Sequence, residues 1–166
     1  MRMSRRKAIW LLTAGVGAGG VAGFVWLRAA APGFRVLAPG ELKTVQALLE
    51  AMFAAEAGAP VDPLTCGALE EVDRLLAEDL PQDVVAPFRY LLHGLEAATT
   101  VSRGRPFSSI SVEARLDVLN VWSGNEPFPR RLALDSLKSV LGMAYWCQPE
   151  VLEAIGWSSP CSGGRL

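Results

Sequence analysis

The sequence predicts an all-α domain, a bundle of about five or six helices, preceded by an N-terminal hydrophobic signal or anchor segment. Three observations carry this. From residue 40 onward, apolar residues recur at spacings of three, four and seven in successive segments, each closed by Gly or Pro. The same stretch lacks the series of β-branched runs that a sheet needs. The first 31 residues also differ from the rest in charge: Arg2, Arg5, Arg6, Lys7 and Arg28 precede residue 32, whereas all 17 acids lie at or beyond Glu41. Eleven bases then face 17 acids in residues 32–166, so the body carries about −6 against −1 for the whole chain. An acidic body without a basic stripe argues against nucleic acid as a partner, because that affinity rests on Lys and Arg neutralising phosphates.

The opening stretch, "SRRKAIWLLTAGVGAGGVAGF", admits two readings. Gly15, Gly17 and Gly20 spell G-x-G-x-x-G, and Glu41 follows where a dinucleotide fold places its ribose-binding acid. That loop binds pyrophosphate only when a parallel sheet holds it, and the chain has no strands with which to build one. The second reading accounts for more residues. Ser4-Arg5-Arg6-Lys7-Ala8-Ile9 resembles a twin-arginine export motif, with Ala8 where Phe is usual. It is followed by 20 uncharged residues, Ala8 to Leu27, which as a helix span a hydrocarbon core of ~30 Å. Ala29 and Ala31 form an A-x-A cleavage site, with Pro32 unfavourably placed just after it. Residues 1–31 are therefore read as an export signal carried by Arg5 and Arg6, or as a membrane anchor.

Residues 32–40, with Pro32, Gly33, Pro39 and Gly40, read as a linker, and residues 41–157 as the helical domain. "ELKTVQALLEAMFAA" puts Leu42, Val45, Leu48, Leu49, Met52 and Phe53 on one face. "DPLTCGALEEVDRLLAEDLP" predicts a second helix with Asp62 as N-cap, Pro63 at its first position, and Leu69, Val72, Leu75 and Leu76 inward. The third, "QDVVAPFRYLLHGLEAATTVS", contains Pro87, which either kinks it or marks its first turn. Phe107 and Ile110 pin the next connection to the core. Ser111 caps a fourth helix that buries Leu116, Leu119 and Trp122, and "PFPRRLALDSLKSVLGMAYWCQ" is the fifth. A short sixth begins at Pro149-Glu150, and residues 158–166 read as a flexible tail.

No catalytic constellation declares itself. His93, the single histidine, has no signalled partner and reads as structural or solvent-facing. Glu70, Glu71, Asp73, Glu78 and Asp79 read as a solvated face rather than a metal or acid–base site. There is no G-x-S-x-G elbow, and Cys66, Cys147 and Cys161 lack zinc spacing. Cys147 and Cys161 are the expected disulfide, tying the last helix to the fifth; three unpaired thiols are the alternative. Trp122, Tyr145, Trp146 and Trp157 lie in the last third of the chain. They are candidates for a partner interface, with ordinary core packing as the competing reading. Tyr145 and Trp146 point about 100° apart on a helix, so one of them is expected to face outward.

Three blocks, "LAPGELKTVQALLEAMF", "RPFSSISVEARLDVLNVW" and "LKSVLGMAYWCQPEVLEAIGW", together resemble the ordered segments of the gluconate 2-dehydrogenase subunit 3 family. The resemblance runs over most of residues 36–157. It includes a Phe-x-x-Leu/Ile step, here Phe107 to Ile110, and an aromatic-x-x-Pro-Glu segment from Tyr145 through Pro149 and Glu150 to Ile155-Gly156-Trp157. "MFAAEAGAP" stands where the family often has an Ile-Pro step. The resemblance implies a non-catalytic small subunit of a periplasmic, membrane-associated dehydrogenase, with no cofactor of its own. Its large partner would be a flavin enzyme of the glucose-methanol-choline type holding FAD, with electrons often passed to a cytochrome c subunit. Such a small subunit supplies the twin-arginine signal for the folded partner. A free-standing membrane-anchored adaptor or envelope chaperone is the alternative.

Overall fold

The computed structural model describes residues 29–53, 58–124 and 128–157, the side chains of 128 and 129 excepted. All its regular elements are helical. They are α1 (Pro39–Met52), α2 (Ala68–Arg74) continuing as a π turn (Leu75–Asp79), α3 (Gln82–Arg103), a 3-10 turn (Phe107–Ser109), α4 (Val112–Ser123), α5 (Phe128–Trp146) and α6 (Pro149–Ala154). Helix α1 is central, packing on α2, α3, α4 and the 3-10 turn, while α5 closes the bundle against α2 and α4. The segments of residues 1–28 and 158–166, which hold the expected signal and tail, lie outside the described residues. Among those described, no helix is long and apolar enough to cross a membrane.

Helix α1 starts at Pro39, two residues before the expected boundary, because proline's fixed φ and missing N–H suit a first helical turn. Val45, Leu48 and Leu49 are fully buried, with Leu42 and Met52 at the edges of the face. The second helix begins later than expected. Asp62 Oδ1 accepts the Leu64 N–H at 2.9 Å, and its carbonyl accepts from Thr65 N (3.2 Å) and Thr65 Oγ1 (3.1 Å). Asp62 therefore builds a turn instead of capping a helix, since short polar side chains offer the backbone this alternative. Gly67, at φ 82°, then supplies the left-handed residue from which α2 departs. Val72, Leu75 and Leu76 are buried as the spacing requires.

Pro87 lies inside α3 and not in its first turn. The residues around it, 81–84, 86 and 87, are exposed, a setting in which water can serve the carbonyl that a mid-helix proline leaves without its donor. Phe88, Leu92, Leu95 and Thr99 form the buried stripe. Ser111 Oγ accepts the Ala114 N–H at 3.4 Å, capping α4 as expected. Leu119 and Trp122 are buried, but Leu116 remains 37% exposed, contrary to expectation. The inward stripe of α4 runs through Arg115, Val118, Leu119 and Trp122, and Arg115 holds the place because each of its guanidinium nitrogens donates a hydrogen bond. Phe107 is completely buried and Ile110 packs on the core, pinning the connection.

The stretch expected to be a linker is folded onto the domain. Pro32 and Gly33 (φ 86°) are the central residues of a turn closed by Phe34 N–H to Ala31 C=O at 2.9 Å, the residue pattern of a type II turn. Ala31 N–H donates to Leu37 C=O at 2.8 Å. The Asp73 carboxylate of α2 accepts three successive backbone N–H groups, from Arg35 (2.6 Å), Val36 (2.9 Å) and Leu37 (2.8 Å). Leu37 is thereby held in the core.

Candidate functional site

Two features stand out once the helices are in place: a polar seam between α1 and its neighbours, and an aromatic face at the end of α5. The seam is built on Glu41, whose side chain is 1% exposed. Its Oε2 accepts the Ala38 N–H at 2.8 Å, half of a capping box, since Ala38 has no side-chain acceptor to return the bond. Arg89 Nε donates to both Glu41 oxygens (2.8 and 3.0 Å), and His93 Nε2 lies 2.9 Å from Oε1. Farther along, Glu96 accepts from Thr44 Oγ1 at 2.7 Å and from Ser108 N–H at 3.2 Å. Arg115 donates to Glu50 at 2.6 Å and to the carbonyls of Phe107 (3.3 Å) and Ser108 (3.1 Å).

Among the described residues no buried side-chain polar atom lacks a hydrogen-bond partner. The seam is thus closed on itself and pins α3, the 3-10 turn and α4 onto α1. His93 does have a partner, the buried Glu41, which the sequence reading missed. A signal was present: Arg89, His93 and Glu96, spaced four and three apart, flank the stripe Phe88, Leu92 and Leu95 of α3.

The acidic residues of α2 divide. Asp73 is buried and tethers residues 35–37, which corrects its assignment to a solvated face. Glu71, Glu78 and Asp79 surround Arg74, at 2.7, 3.3 and 2.9 Å. Arg35 also pairs with Glu78, and these two guanidinium groups hold the Glu78 carboxyl below the usual carboxylate range, Arg35 the more. Glu70 is exposed. Among the described residues no group of three or more His, Cys, Asp or Glu is placed to hold a metal. Cys66 is buried, which pushes its thiol pKa up, and Cys147 is exposed. Cys161, the other half of the expected disulfide, lies outside the described residues.

The four aromatic candidates separate by burial. Tyr145 is fully buried, stacked on Phe53 with ring centroids 4.3 Å apart. Its hydroxyl donates to Val61 C=O at 2.7 Å and accepts the Val61 N–H at 3.3 Å, tying α5 to the loop before α2. Trp122 is buried beneath the Arg130 guanidinium, 5.9 Å from the ring centroid. As interface candidates these two are corrected: both rings serve the core of this chain. Trp146 and Trp157 are 43% and 61% exposed. The divergence expected of neighbouring Tyr145 and Trp146 is therefore realised, with Trp146 set edge-on to Tyr145 at 5.1 Å and to Phe53 at 6.2 Å.

Trp146 ends a longer outward lane on α5. Leu132, Ser136, Ser139, Met143 and Trp146, spaced four, three, four and three apart, are all exposed. The two serines donate back to their own helix, Ser136 Oγ to Leu132 C=O (2.9 Å) and Ser139 Oγ to Asp135 C=O (2.8 Å), which lowers their demand for water. Just beyond α6, Ile155 and Trp157 are exposed as well. Such a weakly polar lane ending in large rings can exclude water against another protein surface.

Comparison of the chain with family models, with curated proteins and with solved structures finds no match.

Proposed function

We propose that this chain is a non-catalytic small subunit that docks a large flavin-dependent dehydrogenase of the glucose-methanol-choline type and carries it to the membrane. The observation that supports this most is the pair Trp146 and Trp157, left 43% and 61% exposed at one end of a domain whose other tryptophan with described surroundings, Trp122, is buried. Exposing a ring of this size costs stability that burial would return, and Trp is enriched among the anchors of protein interfaces. The Leu132–Met143–Trp146 lane and Ile155 extend the contact area around these rings. The ordered resemblance over residues 36–157 names the class of partner, and Arg5-Arg6 before an uncharged run of 20 residues names the route.

In this reading FAD sits in the partner, a cytochrome c subunit accepts electrons where one is present, and the N-terminal segment binds the complex to the periplasmic side of the membrane. The seam around Glu41 acts as a brace that holds α3 and α4 on α1, and α5 packs against α4, so that the docking face is preorganised and little order is lost on binding. The test is co-expression with a candidate large subunit. The reading expects a stable complex that shows flavin absorbance and dissociates when Trp146 and Trp157 are truncated. A chain that stays monomeric beside a loaded flavoprotein refutes it and leaves the adaptor or chaperone reading.

A further inference from the structure

We infer that the folded domain closes its own cleavage site, so that the N-terminal segment remains attached after export and serves as a permanent tether. The inference rests on the export reading and concerns what happens at the A-x-A site, Ala29 to Ala31, once the chain is across. A peptidase holds its substrate as an extended strand, with the small side chain before the cut in a pocket and the neighbouring backbone groups bonded to the enzyme. In the folded domain neither requirement is met. Ala31 is only 7% exposed, its N–H is given to Leu37 C=O, and its C=O accepts the Phe34 N–H.

The bond to be cut, Ala31–Pro32, leads directly into the turn formed by Pro32 and Gly33. The next three N–H groups are clamped by the buried Asp73 carboxylate, and Leu37 is anchored in the core. Straightening residues 29–34 requires opening the turn, breaking the Ala31–Leu37 bond and loosening this clamp together. The twin-arginine route moves proteins already folded, so the site is closed before it meets the enzyme. Proteolysis of folded chains depends on such local opening.

The experiment expresses the full chain in a bacterial host that has the twin-arginine route. Spheroplasts are treated with external protease, and the N-terminus of the untreated membrane fraction is read by mass spectrometry. Wild type is expected to be membrane-bound, digestible from outside, and to keep residues 1–31. Pro32→Ala removes the proline that disfavours cutting and is expected to stay whole, because the fold still covers the site. Pro32→Ala with Asp73→Ala is expected to be cut after Ala31 and released.

Pro32→Ala with Gly33→Val opens the turn alone, since a Cβ at Gly33 meets nothing within 4 Å yet strains φ 86°; it should be cut even if the Asp73 variant does not fold. Exported wild type or Pro32→Ala protein beginning at residue 32 overturns the inference while leaving export intact. Both opened variants exported and uncut overturn it too, by showing that the sequence and not the fold blocks the peptidase. Wild type shielded from external protease overturns the export reading, and the tether with it.

Discussion

Glu41→Gln is a near-isosteric change at the centre of the polar seam, and its cost can be reasoned from the contacts it alters. The carboxylate is almost completely buried and receives the Ala38 N–H, the Arg89 guanidinium on both oxygens, and the His93 ring nitrogen. A glutamine keeps one oxygen and replaces the other with an NH2 group. Whichever way the amide turns, that NH2 faces a donor, the Arg89 Nε–H in either case. Arg89, with its side chain only 19% exposed, also loses the charge of Glu41. Removing one partner of a buried ion pair costs about 3–5 kcal/mol.

Because Gln preserves shape and one acceptor, the lower end applies, and ~3 kcal/mol in a chain of this size lowers Tm by about 10 °C. Urea unfolding followed by circular dichroism measures it. The exposed Glu70→Gln serves as control and should fall within ~0.5 kcal/mol of wild type. Glu41→Gln combined with Arg89→Met should cost less than the sum of the two single changes, as expected for residues in contact. A Glu41→Gln variant as stable as the control refutes the claim that this seam braces the bundle.

The remaining predictions concern the core, the thiols and export. Tyr145→Phe removes the hydroxyl from both Val61 backbone groups and should destabilise by about 1–2 kcal/mol in thermal or urea melts. Burial raises the Tyr145 pKa, so the fold holds the neutral phenol. Its contribution is complete below about pH 10, where an unfolded tyrosine ionises, and is lost as pH rises toward the folded value. Melts above pH 10 should therefore fall less steeply for Tyr145→Phe than for wild type. Peptide mapping after brief alkylation of reduced, folded protein should find Cys147 modified and Cys66 protected, since the Cys66 thiol is buried and gives up its proton reluctantly. Non-reduced mapping of exported protein should find Cys147 joined to Cys161, and recovery of both as free thiols refutes that pairing. Arg5→Lys with Arg6→Lys keeps both charges and should trap the chain in the cytoplasm on fractionation; unchanged export would mark the segment as a plain anchor.

What could be read from sequence was the content of each helix, because burial follows apolar spacing. Val45, Leu48, Leu49, Val72 and Leu76 lie where that spacing puts them, as does the Ser111 cap. Less legible were positions where a polar side chain chooses between local and distant partners. Asp62 turned to its own following backbone, which delayed α2 to Ala68. Asp73 turned inward to three N–H groups 36 to 38 residues earlier in the chain, a link no local pattern encodes. Arg115 displaced Leu116 from the inward stripe for the sake of a glutamate on α1 and two carbonyls of the 3-10 turn. For the docking face, sequence supplied four aromatic candidates but not their burial. Only the packing of Phe53 on Tyr145 and of Arg130 on Trp122 separates the rings that fill the core from Trp146 and Trp157, which remain outside.

In the proposed function these two outer rings anchor a flavoprotein. The most direct measurement is the affinity of the purified chain for a flavin-loaded large subunit, taken for wild type, Trp146→Ala, Trp157→Ala and the surface control Glu78→Ala. Each Trp variant is predicted to weaken binding by about 2 kcal/mol or more, roughly 30-fold, with helical content and melting nearly unchanged, while Glu78→Ala binds almost as wild type. Affinity unaltered in both Trp variants, or lost only together with the fold, would contradict the claim.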